Sequence, residues 1–215
     1  IVYGNSLLLD TDVEITASKI ADSTSVLAMG FVNSEKQTFT PQFKTRNLVA
    51  EAIWNKNHID FALDGDQEDK TNYLRMKGSV DFLKDSTNIK ILPSSLKVLE
   101  KVWEFDPDNL ISIRRKHVRV SDLVLRNENQ YISADGSISA DPDEKLSVRV
   151  KNFDLSTLNP IIGRDISGTL NALVDLNNYY LRPFVQNDIQ IDSFTVDHFL
   201  IGDIIGRNQW DRLDG

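Results

Sequence analysis

The side chains able to do chemistry are few and far apart. His58, His117 and His198 are the only histidines, standing 59 and 81 positions apart, and there is no cysteine. No His-x-x-x-His or Glu-x-x-His pair is present, so neither a thiolate nor a histidine-based metal site has a local ligand set. Gly-x-Ser-x-Gly, Walker and Gly-x-Gly-x-x-Gly patterns are missing too, which removes the recognisable hydrolase, NTPase and dinucleotide signatures. No catalytic residue, metal ligand or cofactor site is therefore assigned, and the expectation is a protein that is not an enzyme. His198 shares parity with Phe194 and Val196, which predicts a half-buried imidazole satisfied by a neighbour.

Two charged clusters remain. Asp64-Gly65-Asp66-Gln67-Glu68-Asp69 has the oxygen density of a calcium loop, but it lacks the Gly at the sixth position and the Glu at the twelfth, where Arg75 stands. It reads as a solvated hairpin turn. The tract Arg114-Arg115-Lys116-His117-Val118-Arg119 runs against a net charge of -8. It reads as a solvated turn between strands around Ile111–Ile113 and Val118–Val120. The sharper alternative makes Arg114, Arg115, Lys116 and Arg119 a contact for anionic headgroups, worth about 1 kcal/mol per cation. No aromatic stacking platform accompanies the tract, which disfavours nucleic acid.

The elements that hold these residues follow from composition and period. Among 215 residues, 24 Asp stand against 8 Glu, with 9 Ala and 35 Ile plus Val. Asp suits turns, Ala and Glu suit helix interiors, and Ile and Val suit strands, so the chain is expected to be mainly β. The longest apolar runs, such as Leu7–Leu9 and Phe199–Ile201, fall far below the roughly 20 residues that span a bilayer. The chain opens at Ile1 without a methionine. It is therefore expected to be one continuous β-rich fragment, residues 1–215, of a larger protein whose targeting and anchoring segments lie outside it.

Apolar residues alternate with polar ones. Val13, Ile15 and Ala17 share one parity; so do Ile59, Phe61 and Leu63; so do Leu146, Val148 and Val150; and so do Ile166, Leu170, Ala172, Val174 and Leu176. Ile189 and Ile191 mark another strand. Such alternation predicts an antiparallel sheet with one dry and one wet face. Asp106-Pro107-Asp108-Asn109, Asn127-Glu128-Asn129, Asp141-Pro142-Asp143 and Asn177-Asn178 read as turns, spaced for hairpins. Ser94–Trp103 has partly helical spacing but reads as strand, because Leu96 and Val98 alternate; Thr157–Arg164 allows a short helix. The segment Tyr73–Val80 echoes Tyr131–Ile138, with Tyr, Gly and Ser in register, which suggests stacked repeats of one sheet.

The order and spacing of these weak motifs resemble a known family. Trp103 through Leu125, Tyr131–Ile138, Leu146-Ser147-Val148, Asn152–Leu158, Ile166–Leu170, Pro183, Gly202-Asp203 and Trp210-Asp211 are similar to the TamB family, the translocation and assembly module of Gram-negative envelopes, in its Bacteroidota form. AsmA-like proteins are a more distant likeness. The resemblance covers residues 73–212. It implies an elongated antiparallel sheet curled into an open trough, a periplasmic location, and an inner-membrane anchor on the full-length protein. It also implies transport of phospholipid between the membranes, or assistance to outer-membrane protein assembly with an Omp85-type partner.

On that reading Leu146, Val148, Val150, Ile166, Leu170, Val174, Ile189 and Ile191 line the trough and meet acyl chains. Alternation alone fits an ordinary β-sandwich equally well, since both need one apolar face. The competing function is a surface or secreted β-rich module that binds glycans or acts as an adhesin.

Overall fold

The computed structural model describes residues 2–3, 6–19, 26–39, 44–68 and 71–211. In chain order the strands are β1 (Val2–Tyr3), β2 (Ser6–Lys19), β3 (Val26–Thr38), β4 (Lys44–Asn55), β5 (His58–Gln67), β6 (Tyr73–Phe82), β7 (Thr87–Ile91) and β8 (Ser95–Val98). They continue as β9 (Lys101–Phe105), β10 (Leu110–Arg114), β11 (His117–Asn127), β12 (Gln130–Ile138), β13 (Lys145–Asp154), β14 (Ile166–Asn177), β15 (Phe184–Val196) and β16 (Phe199–Asp211). A 3₁₀ turn, Leu155–Leu158, leads into the single turn of α1, Asn159–Ile162, between β13 and β14.

All sixteen strands form one antiparallel sheet whose order nearly follows the chain, from β1 to β7 and then from β10 to β16. At ordinary strand spacing, the thirteen steps along this path make an arc of about 62 Å. The chain is thus mainly β, as its composition predicts. Hairpins of two turn residues join many neighbours, and the first turn residue has a positive φ in five of them: Lys56, Leu99, Arg115, Glu128 and Asp197. Turns of this hand match the twist of the strands they connect.

The middle of the sheet divides. β8 and β9 form a hairpin that pairs with the Tyr73–Arg75 end of β6 and with Leu125 and Arg126 of β11, while β7 and β10 fill the other half of the same gap. Ser94–Trp103 is therefore strand, as expected. Asp106–Asn109 is not a hairpin turn, since the strands on either side of it, β9 and β10, do not pair with each other. It is a break in one long arm. Asn109, 1% exposed, holds the break together: its Nδ2 donates to the Ile91 and Asp106 carbonyls at 2.8 and 2.6 Å, and its Oδ1 accepts from Ile91 N at 2.7 Å. Buried Ser94 bridges the Lys77 and Leu92 backbones in the facing arm.

Asp64-Gly65-Asp66 corrects a second expectation, because these residues lie inside β5 rather than at a turn. Asp66 faces the wet side and accepts from Arg75 at 2.5 Å and from Asn47 at 3.2 Å. Paired in this way, the carboxylates fit a strand as well as a loop. Asp69 lies outside the described residues.

Bulges supply the curvature. The register shifts at Arg46/Val49, Val120/Leu123, Val150/Phe153 and Ile191/Phe194, where Asn47, Asp122, Asn152 and Ser193 take positive φ. In three of the four the freed N–H is caught by a side chain of the opposing strand. Asp122 N donates to Asp135 at 3.3 Å, Asn152 N to Asn171 at 3.0 Å and Ser193 N to Asp203 at 2.8 Å. These four bulges lie toward the same end of the strands, and bulges bend and twist a sheet.

The curl is visible in one contact. From β5 to β13 the path through β6, β8, β9, β11 and β12 takes six steps, about 29 Å if flat. The six residues that follow Asp154, through Pro160, are helical and reach only about 10–12 Å. Gln67 Nε2 of β5 nevertheless donates to the Pro160 carbonyl at 3.2 Å. The sheet must wrap round the turn that follows β13.

These staples differ in burial, and their removal should differ in the same order. Asn109→Ala strands buried backbone groups and is expected to destabilise by about 2–3 kcal/mol, while Asp203→Ala, at an exposed bulge, is expected to lose about 1 kcal/mol or less. Urea unfolding of the two variants checks both the order and the size.

Candidate functional site: an apolar inner face

Strand register places the apolar parity of every long strand on the concave side. One row runs without a polar interruption from β2 to β16: Ala17, Ala28, Trp54, Ile59, Val80, Ile89, Ile111, Val120, Gly136, Leu146, Leu176, Val185 and Trp210. Each member is the direct cross-strand partner of the next. Two glycines fit this face locally. A Cβ at Gly78 would collide with the Phe61 ring, and Gly136, at φ +117°, would drive one into the Lys145 carbonyl. Tyr73–Val80 and Tyr131–Ile138, the echoing segments, fall on β6 and β12 with their glycines at equivalent inward positions.

Little covers this face. Among the described residues the buried apolar side chains are Val98, Trp103, Val120, Phe153 and Leu155. Most of the row is half-buried, and toward both edges the face is open: Ile15, beside Ala17 on the same face, is 75% exposed, and Trp54 and Trp210 of the row are 43% and 55% exposed. A sandwich would need a second packed layer, and among the described residues the sheet is the only layer besides one short turn.

That turn is a plug. Trp103, 2% exposed, stacks at a tilt on Phe153 with ring centroids 5.5 Å apart, and Leu155 completes the cluster. Leu96, Leu125, Ile132 and Phe194 pack around it. Asp154 starts the turn by accepting from Ser156 N at 3.0 Å and from Ser156 Oγ at 2.7 Å, and it pairs with Lys101. Burial pushes the Asp154 carboxyl up; the Lys101 ammonium and the Ser156 donors outweigh it and hold the group below its ordinary value of 3.8.

The eight trough candidates share the inner face. Val148 faces Val174, Leu170 faces Ile191, and Val150 reaches Ile189 through Ala172. The plug divides them. Val150, Ile166, Leu170 and Ile191 pack against its cluster, whereas Leu146, Val148, Val174 and Ile189 lie outside it. The bulges hid much of the rest of the face from the sequence. Each inserts one residue, so the inward parity switches from Val118 and Val120 to Leu123 and Leu125, and from Val148 and Val150 to Phe153 and Leu155, breaking the two-residue period.

The charged clusters lie elsewhere. Arg115 and Lys116 form the tip of the β10–β11 hairpin, flanked by Arg114 and all three exposed, while Arg119 projects to the polar face opposite Ser112 and Ser137. His117 pairs with Glu144 at 3.1 Å. His198 corrects the expectation of half-burial: it sits in the β15–β16 turn, 91% exposed, with Asp165 at 3.2 Å. His58 lies on the wet face between Asp81 at 2.6 Å and Asp60 at 3.1 Å, and these carboxylates, Asp81 foremost, raise its pKa above 6.5. Among the described residues no three His, Asp or Glu side chains group to hold a metal, and no helix is long and apolar enough to cross a membrane.

No protein-family model, curated protein or solved structure matches this chain. What the inner face can do therefore rests on its own chemistry: apolar contact over a long, concave, partly open surface, with no charged side chain in the row of thirteen.

The plug makes its own prediction. Because the folded pKa of Asp154 is depressed, its stabilisation is fully present above the ordinary value of 3.8 and is lost as pH falls through the lower, folded value. Thermal midpoints measured from about pH 5 down to about pH 2 should fall less steeply for Asp154→Asn than for the parent chain.

Proposed function

We propose that this chain is a segment of a TamB/AsmA-like envelope protein whose concave face carries phospholipid acyl chains between the inner and outer membranes. The observation that supports it most is the row of thirteen apolar residues from Ala17 to Trp210, each paired to the next across the sheet and open toward both edges. Water meets apolar side chains along that row at a cost of about 25 cal/mol per Å², and an acyl chain laid along it removes the same area from water on both partners. Exposed apolar patches of this extent on a protein mark a surface that meets another molecule.

The same proposal places the segment in the periplasm as a single stretch of a longer chain, anchored in the inner membrane through parts outside residues 1–215. An Omp85-type outer-membrane protein is the partner of the full-length protein, and assistance to outer-membrane protein assembly is a second use of the same conduit. The work needs no bond chemistry and no cofactor. Transport asks only that lipid be held weakly at many equivalent positions, and a row of small and branched side chains without polar anchors provides that.

The two-residue period and the plug together give the test. A photo-crosslinking side chain at Leu146, Val148 or Val174 is expected to capture lipid in cells, while one at Arg149 or Asp175, on the opposite face, is not. Val150 and Leu170 share the inner parity but sit against the plug, so capture there should fall well below capture at Val148. Val148→Asp puts a carboxylate among acyl chains at a cost of several kcal/mol and should cut transport with the sheet intact by circular dichroism. Equal capture at both parities, or none in folded variants, contradicts the conduit.

A further inference from the structure

We infer that the hollow between α1 and the inner face of β4, β5, β6 and β8 is a binding site for the end of a single alkyl chain of about twelve carbons. This rests on the proposal that the inner face takes acyl chains, and it adds a place where a chain stops rather than passes.

The hollow has a volume of about 290 Å³. An apolar cavity of about 150 Å³ holds a six-carbon benzene ring, so this one holds roughly twice as many carbons. Leu48, Leu63, Leu74, Leu96, Val98 and Ile161 supply its walls. Asp66, Tyr73 and Lys97 belong to the strands that form it, but their parity turns these side chains to the opposite face of the sheet, where Asp66 pairs with Arg75 and Lys97 with Glu100. A polar or charged ligand would find no partner inside, and an alkyl chain needs none.

An amide clasp closes one wall. Asn72 Nδ2 donates to Gln67 Oε1 at 2.6 Å, Gln67 Nε2 donates to the Pro160 carbonyl at 3.2 Å, and Asn72 Oδ1 accepts from Leu99 N at 2.8 Å. Both amides are buried and every polar atom they carry into the wall is satisfied. The clasp ties α1 to the far side of the curl, so the cavity is bounded at depth while the inner face beyond β5 stays open. A chain entering from the open row would be arrested against the plug.

One position probes the cavity without disturbing it. Gly65 lines it from β5, opposite Leu74, and a Cβ there meets only Leu48 Cδ1 at an ordinary 3.7 Å, on backbone that any residue adopts. Gly65→Leu therefore fills part of the hollow from a strand that tolerates it. Gly30 lies on the same face outside the cavity with nothing within 4 Å of its Cβ, so Gly30→Leu serves as the control.

The experiment is a calorimetric titration of the chain with fatty acids of eight, ten, twelve, fourteen and sixteen carbons. A second arm uses lysophosphatidylglycerols of the same lengths, which separates a free fatty acid from a phospholipid chain as the source. Affinity is expected to rise roughly fourfold per methylene and to level off near about twelve carbons. Gly65→Leu should move the plateau down to about eight carbons, by the four carbons it adds, and Gly30→Leu should leave it in place. A plateau in only one arm assigns the source of the chain. Lack of saturable binding in both arms, affinity that climbs with length without a plateau, or a plateau that ignores Gly65→Leu overturns the inference. Crosslinking at Val148 reads the conduit separately: capture there beside an unmoved plateau removes the terminal site alone, and loss of both removes the conduit as well.

Discussion

The whole arrangement depends on a single antiparallel sheet that has one apolar face and, among the described residues, no second layer to put it against. An ordinary domain buries such a face by stacking two layers, and the resulting core holds dozens of side chains away from water. Here the described residues bury five apolar side chains, three of them in the cluster around Trp103. The remainder of the face gains its partial shelter from curvature alone. Curvature thus does for this sheet what a second layer does elsewhere, and it leaves the concavity accessible outside the plug.

The curvature has identifiable parts. Four bulges toward one end of the strands tighten the sheet there, three of them fixed by a side chain reaching across from the neighbouring strand. The 3₁₀ turn and α1 fill the space so made, and the Gln67–Asn72 clasp ties the turn to the opposite wall. The breaks between β7 and β8 and between β9 and β10, held by Ser94 and Asn109 respectively, let the sheet divide between β6 and β11. These devices are local and polar, yet what they position is apolar and continuous. A bulge inserted without its staple would leave an N–H unsatisfied and a strand free to slip by one residue, which would turn its apolar side chains outward.

Much of this was legible in the sequence where a strand ran unbroken. Leu146, Val148 and Val150 alternate over one uninterrupted stretch, and they stand on one face as their spacing predicts. Ser94–Trp103 resolves correctly as strand because Leu96 and Val98 alternate. Reading failed where period two was interrupted: Leu123 and Leu125 change parity after Asp122, and no local pattern marks that bulge apart from an Asp that suits a turn equally well. Asp64-Gly65-Asp66 misled in the opposite direction, since turn-forming residues sit mid-strand when a cross-strand Arg75 satisfies them. The plug was half visible as a short helix near Thr157, but its partner Trp103 is more than fifty residues away, and no period connects the two. The exposed His198 shows the same limit, because parity assigns a face and the hairpin turn then removes the residue from it.

The central claim is that the inner face is wetted by lipid while the plug is packed shut, and the three tryptophans sample both regions. Trp54 and Trp210 stand in the open row, and Trp103 lies in the buried cluster. Three single-tryptophan variants, each with the other two replaced by Phe, can be titrated with phospholipid brominated along its acyl chains, whose bromines quench indole fluorescence on contact. The account predicts strong quenching of Trp54 and Trp210 and almost none of Trp103. Quenching of none of the three, or of Trp103 as strongly as the others, would contradict an open acyl-lined trough beside a closed plug.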